Sequence, residues 1–109
     1  MFLGRPNLRL RHEIRRLFKS GRTHRGRLVH VRVCRSKASA TLISIRRQFG
    51  NAVKRNKARR RIRDICRSHA WLNPRGRLVL ITVSDRATPA TFVDYQQDLT
   101  AAFSALDTP

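Results

Sequence analysis

Hydrophobic positions in the first part of the chain recur at helical spacing. Leu10, Ile14, Leu17 and Phe18 fall at i, i+4, i+7 and i+8, which predicts an amphipathic helix from about Asn7 to Ser20. Asn7 suits its N-cap and Gly21 its stop. From Arg27 to Arg35 the period drops to two: Val29, Val31 and Val33 face one side, and Leu28, His30, Arg32 and Cys34 face the other. A polar connection, Ser36 to Ser39, leads to a second strand, Ala40 to Arg47, with Ile43 and Ile45 on a common face. Parity then puts Ser44 and Arg46 on the polar face with His30 and Arg32.

Helical spacing returns from about Asn51 to Ser68. A step of about 100° per residue gathers Ala58, Ile62, Ile65, Cys66 and His69 on one face. Asn73-Pro74-Arg75-Gly76 is a turn, and the unbroken apolar run Leu78 to Val83 suits a central strand. Pro89 and Thr91 announce a last helix, with Thr91 and Asp94 as a capping-box variant and Phe92, Leu99, Ala102, Phe103 and Leu106 on its buried face. The order is α-β-β-α-β-α, with room for one short strand near Arg22 to His24. That is an α+β sandwich of helices on one small sheet. At 109 residues it is one domain, able to bury roughly two thirds of its unfolded surface.

Charge changes the picture more than composition does. The formal net charge is +19, which implies a polyanionic partner. All Lys and Arg except Arg86 lie at or before Arg77, opposed there only by Glu13 and Asp64. The C-terminal segment carries the other four acids and therefore packs rather than seeking the polyanion. The cations are densest in the second helix. Asn56, Arg60, Arg63 and Arg67 line the face opposite its apolar seam, Lys57 lies beside them, and Lys54, Arg55, Arg59 and Arg61 fill the flanks. Asp64 is the only acid between Asn51 and His69, so these cations repel one another by a few tenths of a kcal/mol per pair. A solvated charged face would mix signs. This helix instead docks on a core and presents guanidinium groups to phosphate, for which Arg is suited by its bidentate geometry. Arg46 and Arg47 extend the same basic surface.

A second candidate surface is the polar side of the sheet. Phe18, His30, Arg32 and Arg46 border a trough beside the basic helix that suits single-stranded RNA, bound by stacking and charge. Phe18 also lies on the apolar face of its own helix, and that placement favours the core.

The run Gly50-Asn51-Ala52-Val53-Lys54-Arg55-Asn56-Lys57-Ala58-Arg59-Arg60-Arg61-Ile62-Arg63 resembles the signature of the bacterial ribonuclease P protein subunit, G-N-A-V-x-R-N-R-x-K-R-x-x-R. Leu17-Phe18 with Gly21, the Val-rich strand and Phe92 extend the resemblance along the chain. Lys57 stands where that family usually has Arg, and Arg46-Arg47-Gln48 where it usually has Ser-Lys-Lys. Ile14 and Arg32 occupy positions that are often aromatic. The resemblance implies an α-β-β-β-α-β-α fold with a left-handed crossover through the basic helix. It also implies a non-catalytic subunit of a ribonucleoprotein endoribonuclease, in which a catalytic RNA removes the 5′ leader of precursor tRNA. The partners would be that RNA and precursor tRNA, with the leader in the trough and Mg²⁺ ions held by the RNA. Asn56 would fix a phosphate, a water or a neighbouring loop through its amide.

Other chemistry has little support. His12, His24, His30 and His69 lack metal-ligand spacing, no C-x-x-C accompanies them, and His69 continues the apolar seam as a packed residue. The acids form no D-x-D or E-x-x-H group, and no Ser or Cys has a recognisable base, so no catalytic or metal site is expected in the protein. No apolar stretch is long enough to cross a bilayer, and no secretory signal is visible, which leaves a cytoplasmic protein with Cys34 and Cys66 reduced. No obligate protein partner is evident. A ribosomal-type structural RNA-binding protein explains size and charge equally well but not the register of the basic motif. A protein-only nuclease and a DNA-compacting protein are the remaining readings.

Overall fold

Both faces of the apolar run near residue 80 are buried, and this organises the molecule. The computed structural model describes residues 14–19, 21–36, 39–69, 71–72, 75–84 and 91–107. Residues 14–19 are helical (α1). They are followed by strands β1 (Arg22–Arg25), β2 (Val29–Arg35) and β3 (Ala40–Ile45), then helix α2 (Ala52–Ser68), strand β4 (Arg77–Val83) and helix α3 (Phe92–Asp107). The sheet order is β1-β2-β4-β3. β4 pairs antiparallel with β2 and parallel with β3, so α2 lies in the crossover between two parallel neighbours. β1 is the short strand for which the sequence left room, antiparallel to β2 at the edge.

Helices cover both sides of this sheet. Val29, Val31, Ile43, Ile45, Val79, Ile81 and Val83 pack with the apolar residues of α2 and α3, while Leu17 of α1 packs on Leu42, Leu78 and Leu80 on the opposite side. The central position of β4 follows from this: with no polar side, it cannot lie at an edge. On α3 the stripe is Tyr95, Leu99, Ala102, Phe103 and Leu106. Its N-terminus carries the expected capping pair, the Thr91 N–H donating to Asp94 Oδ2 at 2.9 Å and the Asp94 N–H to Thr91 Oγ1 at 3.2 Å. Hydrogen bonds to the carboxylate from the Thr91 N–H and the Thr91 hydroxyl, helped by the charge of Arg27, hold the Asp94 carboxyl below its usual range.

Several expectations are corrected. β3 ends at Ile45 because residues Arg47–Phe49 form a 3₁₀ turn that drives Phe49 into the core. Leu28 precedes β2, escapes its alternation and is buried with the α3-side residues. Phe92 opens α3 before its buried stripe begins and remains 40% exposed, the first buried aromatic of the helix being Tyr95 instead. Gly21 stops α1 as expected, its N–H donating to Leu17 O at 2.9 Å. The proposed cap at Asn7 lies outside the described residues.

An unforeseen carboxylate ties α3 to the sheet. Asp98 accepts the backbone N–H groups of Arg27, Leu28 and Val29 at 3.2, 2.9 and 2.8 Å. A Cβ on Gly26 would lie 2.5 Å from Asp98 Oδ2, so the turn entering β2 needs glycine there.

Candidate nucleic-acid interface

Asn51 is not the first helical residue but the N-cap of α2, its Oδ1 accepting the Lys54 N–H at 2.9 Å. No acid occupies the first turn, so the positive end of the helix dipole meets no neutralising side chain of its own there. Asn51→Ala is expected to lower thermal stability by about 1 kcal/mol, read as a fall in Tm. Ala58, Ile62, Ile65 and Cys66 form the seam and are buried. Burial also pushes the Cys66 thiol up to about 12, which leaves it inert, and neither Cys34 nor Cys66 forms a disulfide.

Docking this seam turns the cations outward. Lys54, Asn56, Lys57, Arg60 and Arg67 are exposed, and Arg55, Arg59, Arg61 and Arg63 are half-buried. Asn56, Arg59, Arg60 and Arg63 line a concavity of about 200 Å³. Within it, Arg59 Nη1 donates to Asn56 Oδ1 at 2.9 Å. Asn56 therefore orients a guanidinium through its carbonyl. Arg59 Nε is buried with no hydrogen-bond partner. A buried unpaired donor costs about 1–3 kcal/mol, and an acceptor oxygen in the concavity would recover it. Sequence placed Arg59 on the flank; the i, i+3 contact with Asn56 draws it in.

Phe18 is not in the core. It is 54% exposed, and the Arg32 guanidinium carbon stands 4.4 Å from its ring centroid. Its neighbour Leu17 fills the core position, packing on Leu42, Leu78 and Leu80 with Ile14 beside it. Beyond that contact the same face carries polar side chains. Pairing aligns Arg25, His30, Thr82 and Ser44 in one row across it, with His30 and Arg25 exposed. Arg32, in the next row, and Phe18 stand between that contact and the polar row. Arg46 has an extended backbone (φ −76°, ψ 156°), so the alternation continues through it and it too falls on this face. Arg46 and Arg47 are exposed and lie five residues or fewer from the α2 cap, so trough and basic helix adjoin through the chain itself.

His69 departs from expectation. It is exposed at the C-cap of α2, stacked on Trp71 rather than packed in the seam. Among the described residues, no group of three His, Cys, Asp or Glu side chains could hold a metal ion, and no helix is long and apolar enough to cross a membrane. Asp94 and Asp98 serve a helix cap and the β2 entry, respectively.

Comparison with known proteins accords with this arrangement. A Staphylococcus aureus RNase P protein mutant with defective mRNA degradation activity superposes with a TM-score of 0.73 at 25% identity, over 87% of this chain and 82% of that one. The Thermotoga maritima RNase P protein in complex with 1-(4-fluorophenyl)-2-thiourea shares the fold with a TM-score of 0.73, over 94% of this chain and 99% of that one, at 24% identity. In sequence, the ribonuclease P protein component of Thermus oshimai is 38% identical over 87 residues, 80% of this chain. The chain spans 56% of the length of that curated relative. The profile of the Ribonuclease P family matches residues 3–107, nearly the whole chain. With its basic motif on a docked helix and its sheet in this order, the chain belongs to the ribonuclease P protein family.

Proposed function

We propose that the chain is the protein subunit of ribonuclease P, which assists a catalytic RNA in removing the 5′ leader of precursor tRNA. The observation that carries this reading is the one-sided guanidinium surface of α2, with the buried Arg59 Nε awaiting an acceptor. Lys54, Arg55, Lys57, Arg59, Arg60, Arg61, Arg63 and Arg67, with Arg46 and Arg47, neutralise phosphates of the catalytic RNA. Asn56 acts through Arg59, aiming its guanidinium. The leader lies in the trough. A base stacks near Phe18, Arg32 offers charge over that ring, and His30 and Arg46 line the floor toward α2. Catalysis rests with Mg²⁺ ions held by the RNA; the protein reduces phosphate repulsion and so lowers the Mg²⁺ needed. The cytoplasm, where precursor tRNA is made, is its place of work.

Reconstitution tests this directly. A bacterial ribonuclease P RNA is assayed on precursor tRNA at low Mg²⁺, with and without the protein, beside a protein-alone control. Restored leader removal with an inert protein-alone control is the expected result. Tight RNA binding without restoration, also with the RNA from the same source, would favour the ribosomal-type alternative.

A further inference from the structure

Past the end of α2, three aromatic rings stand in one column. The His69 ring stacks on Trp71 with centroids 4.4 Å apart and planes 18° from parallel. Trp71 in turn stacks on Phe103 of α3 at 4.4 Å and 9°. Phe103 is buried, Trp71 half-buried and His69 exposed, so the column runs from core to solvent. Phe103 and His69 occupy the two faces of the indole, which makes His69 the outer member. Its contact with α3 is through a ring nitrogen, Nε2, 3.4 Å from Gln96 Nε2, and among the described residues this leaves the outer ring face uninvolved.

The backbone fixes this column. The His69 N–H donates to Ile65 O at 3.2 Å, and the Trp71 N–H reaches back to Cys66 O at 2.8 Å, as in a Schellman-type helix end. On its other side, the Trp71 carbonyl accepts Thr41 Oγ1 of β3 at 2.9 Å. Trp71, the chain's single tryptophan, is thus held by both neighbouring peptide groups. Burying Trp71 against Phe103 does not require a ring on its outer face. A ring held there by caps and stacking is a preorganised flat surface, which loses little freedom when another flat group joins it.

We propose that the outer face of His69 is a stacking platform for one unpaired nucleobase of a bound RNA. The occupant is argued from chemistry: a strongly positive chain draws a polyanion, and only a nucleic acid joins such a backbone to planar aromatic groups. Stacking is tolerant of base identity, so no hydrogen-bond code is needed. The platform lies on the α3 side of α2, away from both the Arg59 concavity and the Phe18 trough, and is a third point of contact. It rests on the RNA-binding reading above, and the base comes from either the catalytic RNA or precursor tRNA.

The test measures binding of each RNA separately to the full chain over a salt series, for wild type, His69→Ala, His69→Gln and His69→Tyr. The Ala and Gln variants are expected to bind one of the two RNAs roughly 5- to 100-fold more weakly. Their salt slope stays that of wild type, because no phosphate contact is lost. Tyr, which restores a ring, recovers the affinity; Gln, which keeps only a polar tip toward Gln96, does not. Chemical probing shows one base protected by wild type and reactive with the Ala variant. Equal affinity of wild type and the Ala variant overturns the proposal, as does failure of Tyr to recover what Ala loses. If wild type itself binds neither RNA, the RNA-binding reading falls and the platform with it.

Discussion

Asp98→Ala is expected to lower the unfolding free energy by about 3 kcal/mol, a large fraction of the stability of so small a protein. The carboxylate accepts three consecutive backbone N–H groups, from Arg27, Leu28 and Val29. The Arg27 bond is exposed, and water replaces it readily; those of Leu28 and Val29 are partly buried. Two donors left without an acceptor cost about 1–3 kcal/mol each. Asp98→Asn keeps one acceptor oxygen without the charge and should lose about half as much. Urea unfolding checks this through the midpoint at unchanged slope. A loss under about 1 kcal/mol for Ala would mean that water enters and satisfies the strand entry.

The second large effect is on binding. Replacing Arg60 and Arg63 together with Ala is expected to weaken RNA binding at low salt by about two orders of magnitude. The slope of log affinity against log salt should fall by roughly 0.7–0.9 for each phosphate contact removed. Both residues lie on the outward side of α2, away from the seam at Ala58, Ile62, Ile65 and Cys66, so the fold should be unaffected and the unfolding midpoint preserved. Affinity that falls while the slope stays at the wild-type value would show that these side chains do not meet phosphate.

Much of this was legible because local pattern and final environment agree. The α2 seam, the alternation of Val29 and Val31, the two-sided burial of β4 and the Thr91–Asp94 cap each depend on residues close in sequence. What was hidden depends on partners far along the chain. Asp98 meets the β2 entry about 70 residues before it, and nothing in α3 marks it apart from the other acids. Phe18 has the spacing of a core residue, but among the described residues of α1 it is Leu17, with Ile14 beside it, that packs on the sheet. His69 continues the seam in angle, yet the helix ends there and the core does not reach it. The trough was half legible: strand parity put His30, Arg32 and Arg46 on one face, but only the pairing of β2 with β4 and of β4 with β3 shows which neighbours share their rows.

The place of β4 in the sheet has a consequence for how the chain is made. β2 and β3 do not pair with each other; β4, which follows α2 in sequence, lies between them and joins them. During synthesis, therefore, the sheet cannot close until residue 83 has emerged, and the most cationic segment emerges before it. Closure of such distant pairs is slow relative to helix formation. For that interval α2 has neither its seam covered nor its charge opposed, and any polyanion nearby would favour the helix before the sheet exists to hold it.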